Sequence, residues 1–326
     1  MFRNITEVIM AMNRRDFLNR GMGVCATAML PGCASMRVVK AAGPMKNNQP
    51  VNALVAWYSQ TGHTKLYAKV IAKAWGKLGI NVHASDIREI DRETLGSYDL
   101  IAFGTPVFYY DMPVPVKEWL NSIPEIKATP VAAFVSYGGP GGNVHNTAVS
   151  MLERLSAKGG VPVGMHVFGN MGAFPPDWAG GATDNVLKHR HLPDEATFET
   201  VRLYAEEVLK NVKENNPVEV SGNIDLRELI KGGMATWSVK ALTGVHTIDK
   251  TRCIKCGVCL RKCPTNAIDI KSGSISSSDC ILCFGCMNNC PVQAHDMNFM
   301  GKKMYGFNEL LKQNHITIPE PLILKS

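Results

Sequence analysis

The sequence predicts an α/β protein: a doubly wound parallel five-stranded sheet followed by a small cysteine-rich α+β domain. Three observations predict it. Short apolar runs alternate with amphipathic helical stretches between residues 51 and 212. Eight of the ten cysteines then crowd between Cys253 and Cys290, in two copies of one spacing. No apolar run reaches the ~18 residues that would cross a bilayer. With 326 residues, 45% hydrophobic and 19% charged, the chain is long enough for about two cores and too apolar for disorder. Its 35 Lys and Arg against 28 Asp and Glu leave a net charge of +7 without a basic block, so no nucleic-acid groove is indicated.

The first 50 residues read as an address and a tether. Asn13-Arg14-Arg15-Asp16-Phe17-Leu18 precedes a weakly apolar stretch from Gly21 to Leu30. A basic start before a short apolar segment marks an export signal, here residues 1–32. The pattern resembles a twin-arginine signal, with Arg14 and Arg15 as the pair and Phe17 and Leu18 as the next recognised positions. Leu30-Pro31-Gly32-Cys33 resembles a bacterial lipobox, which implies that Cys33 is lipid-modified and anchors the chain to a membrane. Residues 33–50 are expected to be a tether, with turn signals at Gly43-Pro44 and Asn47-Asn48-Gln49-Pro50. The expected location is the periplasm or another extracytoplasmic face.

The sheet is expected over 51–212. Strand-like runs fall at Val51–Trp57, Ile80–Ala84, Leu100–Phe103, Val131–Val135 and Val161–Phe168. Helical spacing follows the first run, where Leu66, Val70, Ile71, Ala74 and Leu78 share one face of residues 62–78. Further helices are expected at Val114–Ile123, Val144–Lys158 and Asp194–Val212. Helices between successive strands cover both faces of a parallel sheet.

Three loops at strand ends carry chemistry. Ser59-Gln60-Thr61-Gly62-His63-Thr64 joins the first strand to the first helix. Hydroxyls around a glycine at a helix N-terminus suit an anion, which the free amides and the helix dipole attract. No Lys follows the glycine and no Gly-x-Gly-x-x-Gly is present, so a single phosphate fits better than a triphosphate or a dinucleotide. The segment resembles the phosphate loop of flavodoxins, matched at Ser59, Thr61, Gly62 and Thr64, with Gln60 and His63 between them. The resemblance implies a flavodoxin-like fold and bound flavin mononucleotide (FMN). It also assigns the ring to two further loops, through Thr105, Pro106, Val107, Phe108 and Tyr109, and through Ser136, Tyr137, Gly138, Gly139, Gly142 and Asn143. Phe108, Tyr109 and Tyr137 offer flat apolar walls, and the glycines allow close backbone approach. A fourth loop, Asn170–Trp178, lies on the same sheet edge and is expected to cover the flavin or to form a docking surface. His166, His189 and His191 lack the partners of a metal site and are read as isolated histidines.

Residues 213–246 read as a linker. Cys253-x2-Cys256-x2-Cys259-x3-Cys263-Pro264 then recurs as Cys280-x2-Cys283-x2-Cys286-x3-Cys290-Pro291, 27 residues later. Three thiolates at i, i+3 and i+6 wrap one face of an iron–sulfur cubane, and the fourth, beside proline, reaches the other cluster. Residues 247–300 resemble bacterial two-cluster ferredoxins. The expected ligand sets of two [4Fe–4S] clusters are Cys253, Cys256, Cys259 and Cys290, and Cys280, Cys283, Cys286 and Cys263. Ile254, Ile281, Leu282 and Phe284 are expected to keep water from the sulfurs, and residues 301–326 to form a tail that covers the domain or meets a partner.

The whole chain resembles a flavodoxin–ferredoxin fusion family of anaerobes. That implies an electron-transfer protein passing electrons between FMN and the clusters, toward a redox protein or membrane carrier. One alternative is an FMN-dependent oxidoreductase acting on a small molecule or quinone. Another is an iron–sulfur carrier whose flavodoxin-like half is a docking scaffold. No nucleophile–base–orienter set appears among the motifs, so no catalytic residues are expected and hydrolysis is disfavoured.

Overall fold

The structure, a computed structural model, describes residues 35–139, 143–224 and 237–325. Arg14, Arg15, Cys33 and Gly142 lie outside the described residues. No helix among the described residues is long and apolar enough to cross a membrane.

The sheet is built from β2 (Asn52–Trp57), β3 (Asn81–Asp86), β4 (Leu100–Pro106), β5 (Pro130–Tyr137) and β6 (Val161–Gly169), in the order β3-β2-β4-β5-β6. Every pairing is parallel, with Val55 beside Ala84 and Ala102, and Phe103 beside Ala133. One face carries α1 (His63–Lys77) and α6 (Glu195–Lys213), and the other α2 (Val114–Ser122) and α3 (Val144–Ala157). Adjacent strand residues therefore feed different cores. Val55 and Trp57 join Trp75 and Val208 on one side, while Leu54 and Ala56 join Leu120 and Leu152 on the other. Buried polar ends are satisfied locally: Trp75 Nε1 donates to the Ala205 carbonyl at 2.8 Å, and Tyr204 OH to the Ala133 carbonyl at 2.8 Å. The expected elements all form, with ends shifted by one to three residues, the usual spread at frayed ends.

Two segments carry secondary structure that the sequence did not mark. The segment read as a tether contains a strand, β1 (Ser35–Val39), paired with β7 (Val220–Ile224) from the segment read as a linker. Val39 is buried in the α2–α3 core, and Arg37 pairs with Glu153 of α3 at 2.8 Å. Alternating Met36, Val38 and Arg37, Val39 is too short a pattern to stand out within a polar stretch. In the second segment, residues 237–242 are helical.

The C-terminal half has strands of only two residues: β8 (Thr247–Ile248), β9 (Ile268–Asp269), β10 (Ser274–Ile275) and β11 (His295–Asp296), ordered β11-β8-β10-β9. A short helix carries the third cysteine of each triplet, α7 (Val258–Lys262) with Cys259 and α8 (Gly285–Asn288) with Cys286. The sequence repeat is also a backbone repeat. Lys255 and Leu282 share a left-handed conformation (φ 56° and 52°), as do Gly257 and Phe284 (71° and 56°) and Asn266 and Gln293 (55° and 48°). The tail crosses back over both halves. Phe307, at the start of α9 (Phe307–Gln313), sets its ring edge-on to His63 at 5.6 Å, and Ile323 packs on the α1–α6 core.

Candidate functional site

The order β3-β2-β4 reverses the direction of chain progression at β2, which opens a crevice at the carboxyl ends of β2 and β4. A cavity of ≈ 480 Å³ lies there. Of the expected flavin residues, Ser59, Gln60, Thr61, His63, Thr64, Pro106, Val107, Phe108, Tyr109, Ser136, Tyr137, Gly138 and Gly139 line it. Gly62, Thr105 and Asn143 stand just behind the wall. Gly62 turns into α1 with φ 104°, a left-handed conformation, and its N–H donates to Ser59 Oγ at 3.1 Å. Thr105 is fully buried and its hydroxyl donates to the Pro106 carbonyl. Asn143 donates to the Tyr110 carbonyl at 2.8 Å, tying the two ring loops together.

Thr64 and Ser136 hydroxyls meet at 2.7 Å, which joins the phosphate loop to the end of β5. Three buried polar atoms on cavity residues have no hydrogen-bond partner among the described residues: Gln60 Oε1, His63 Nε2 and Asn170 Oδ1. Burial pushes the His63 imidazole down to about 4, so at neutral pH it is uncharged and carries one N–H. A hydroxyl-rich helix start, orphaned polar atoms and an aromatic wall together fit a flavin with one phosphate.

The ring loop after β5 and the loop after β6 touch backbone to backbone. A Cβ on Gly138 would stand 2.5 Å from Gly172 Cα, and one on Gly172 would stand 2.4 Å from the Gly138 carbonyl oxygen. The loop after β6 thus reaches the cavity through Asn170, Gly172, Ala173, Phe174 and Asp177. Trp178 instead is buried, its indole N–H donating to the Tyr305 carbonyl at 3.0 Å. Of the three histidines, His166 packs against Phe168 with tilted rings 4.7 Å apart, and His189 and His191 are exposed; none lines the cavity.

The remaining wall was missed by sequence reasoning. It comes from Ser238 and Val239 of the 237–242 helix and from Leu282, Cys283 and Asn288 of the second cysteine motif. Tyr109 OH donates to the Leu282 carbonyl at 3.0 Å. Asn289 Nδ2 donates to the Gln60 carbonyl and Asn288 Nδ2 to the Ala173 carbonyl, each at 3.0 Å. Gln60 Nε2 lies 2.7 Å from Tyr58 OH, 3.2 Å from the Lys262 carbonyl and 3.5 Å from Cys283 Sγ. The absence of charge between Cys280 and Cys290 was the available signal that this motif faces protein.

None of the eight motif cysteines is in a disulfide. They surround two cavities. One is lined by Cys253, Cys256, Cys259 and Cys290, the other by Cys263, Cys280, Cys283 and Cys286. Each fourth sulfur accepts an N–H four residues on, Ala267 N to Cys263 Sγ at 3.3 Å and Ala294 N to Cys290 Sγ at 3.2 Å. Burial pushes the Cys283 thiol up to about 12, so a thiolate there needs cationic metal beside it. Leu282 and Phe284 are buried, as expected of residues that exclude water, and Ile281 is partly so. Ile254 departs from the expectation. It lines its cavity but is 61% exposed: among the described residues the flavodoxin-like half touches the first motif at the Arg261 and Lys262 carbonyls, away from Ile254 in sequence. His246 Nε2 and His295 Nδ1 sit 3.0 Å apart, and His246 Nε2 is 3.9 Å from Cys286 Sγ.

Comparison with known proteins agrees with this division. The flavodoxin domain family model matches residues 54–173, and the 4Fe-4S binding domain model matches residues 246–269. A flavodoxin of Clostridium saccharobutylicum is 26% identical over 165 residues, 49% of this chain and 96% of that protein. Among solved structures, a flavodoxin from the domain Archaea is 19% identical with a TM-score of 0.38, covering 50% of this chain and 99% of that one. Flavodoxin 2 of Bacillus cereus is also 19% identical, with a TM-score of 0.39, over 49% and 99%. The chain is therefore a flavodoxin-like domain joined to an iron–sulfur domain, with a flavodoxin-type FMN-binding fold.

The contact between Gly138 and Gly172 yields a prediction. Gly138→Ala will force the loops after β5 and β6 apart and weaken FMN binding at least about tenfold, the effect of ~1.4 kcal/mol. Iron content will be unchanged. Fluorimetric titration of released flavin checks this, and wild-type affinity in the variant contradicts it.

Proposed function

We propose that this protein relays electrons between FMN and two [4Fe–4S] clusters. The observation that carries the reading is Cys283, which lines both the flavin cavity and the second cysteine cavity. Bound flavin exchanges one or two electrons and each cluster one, so the pair converts between the two stoichiometries. The residues of this chain place the groups and exclude water. Ser59, Thr61, Thr64 and the first amides of α1 hold the phosphate; Phe108, Tyr109 and Tyr137 bound the ring. Leu282 and Cys283 of the second motif line the cavity, which favours relay over substrate turnover. Asp177 supports the second reading, an FMN-dependent oxidoreductase. It lies on the cavity wall, and burial pushes its carboxyl above the usual range, toward the protonated form that donates a proton.

The cysteine sets predict eight irons and eight acid-labile sulfides per chain in anaerobically purified protein. Cys263→Ser will damage the cluster of Cys280, Cys283 and Cys286, although Cys263 belongs to the first motif. Electron paramagnetic resonance distinguishes the two clusters, and loss of the other one contradicts the pairing.

For the flavin, each hydroxyl donor lost from a charged phosphate costs about 1.5–3 kcal/mol. Replacing Thr61 and Thr64 together by Ala will release FMN while the clusters remain. Calorimetry with wild-type protein will give far weaker binding of riboflavin, which lacks the phosphate. Equal affinity for the two ligands contradicts a phosphate-reading loop.

We also propose export, on the Arg14-Arg15 pair and Cys33. Lys at both arginine positions will hold the protein in the cytoplasm with its cofactors. Cys33→Ala will abolish lipid labelling, and unchanged membrane attachment of that variant contradicts the anchor.

A further inference from the structure

The two cysteine motifs repeat in backbone and cavity, yet they face different surroundings. In the second motif, the positions between ligands dock on the flavodoxin-like half. Leu282 accepts from Tyr109, Asn288 donates to Ala173, and Asn289 donates to Gln60. A shift of 27 residues places Lys255, Arg261 and Lys262 at the same three positions of the first motif. There Cys256 is exposed, Lys255 and Arg261 are exposed, and Ile254 and Leu260 are 61% and 46% exposed. Arg252 is paired with Asp249 and Asp296, whereas Lys255 and Arg261 have no ion-pair partner among the described residues. The Arg261 and Lys262 carbonyls accept from Arg88 and Gln60 of the flavodoxin-like half, while the Lys255 and Arg261 residues stay exposed. The first motif thus carries an apolar centre with a cationic rim, on the surface its twin uses as an interface.

We propose that this Cys256 face is the port where the protein exchanges single electrons with an acidic redox protein. The Cys283 face is then the internal port to the flavin cavity. The proposal rests on the two-cluster reading above. The cationic rim fits an anionic partner, and Ile254 and Leu260 supply the dry centre that protein interfaces share. The exchange is outer-sphere: one electron leaves the donor and reduces the acceptor by one, no bond forms or breaks, and no proton moves.

The test uses reduced full-length holoprotein and two one-electron oxidants of opposite charge, tris(oxalato)cobaltate(III) and hexaamminecobalt(III), in stopped flow. Lys255→Glu with Arg261→Glu will slow the anionic oxidant by about tenfold or more at low ionic strength and speed the cationic one. Both effects will fade at high salt, because the charges are exposed. Lys127→Glu with Lys158→Glu makes the same charge change at the opposite edge of the sheet and will alter either rate less than about twofold. Equal effects from the two pairs, or no effect from the first, overturn the port. Iron and sulfide analysis accompanies each variant. Eight irons without charge selectivity overturn the port alone, whereas wild-type protein with the first motif empty of iron overturns the two-cluster reading and the port with it.

Discussion

The structure turns on the packing of an uncharged cysteine motif against the phosphate loop. Gln60 sits at the joint. Its carbonyl accepts from Asn289, and its side-chain amide reaches Tyr58, Lys262 and Cys283. Gly285 allows the approach, since a Cβ there would stand 2.1 Å from Gln60 Oε1. The same loop therefore begins α1, lines the flavin cavity and receives the second motif. Arg88, two residues past β3, adds a tie to the first motif: it is held by Asp86 and donates to the Arg261 carbonyl at 3.0 Å.

The two halves depend on different sources of stability. The five-stranded sheet buries side chains on both faces, so its core is large and apolar. The C-terminal half has two-residue strands and a core in which Cys259, Cys286 and Cys290 take the place of aliphatic side chains. Such a unit cannot rest on apolar burial alone, and metal binding to its thiols supplies folding free energy. Docking on the sheet domain, together with the tail over His63 and α1, contributes the rest.

Much of this was legible in the sequence, for physical reasons. Strand and helix periods are local, so the run from Asn52 to Lys213 could be read element by element. The cysteine spacing encodes cluster geometry, and the cavities group the sulfurs as the spacing implies. The phosphate loop is contiguous, and five of its six residues line the cavity. What escaped depends on contacts between distant segments. Nothing local marks Ser35–Val39 as the partner of Val220–Ile224, and nothing marks Val239 or Leu282 as a flavin wall. Ile254 and Leu282 are both apolar residues beside ligands, yet one faces outward and the other inward. Only the charges around the first, and their absence around the second, distinguish them.

The central claim is that electrons pass within one molecule between the flavin cavity and the Cys283 cavity. Laser-flash photoreduction of the bound flavin tests it most directly, with cluster bleaching followed in the visible. Transfer within one molecule gives a first-order cluster reduction whose rate constant does not change with protein concentration. A rate that rises in proportion to concentration would mean that electrons move between molecules, and would contradict the relay.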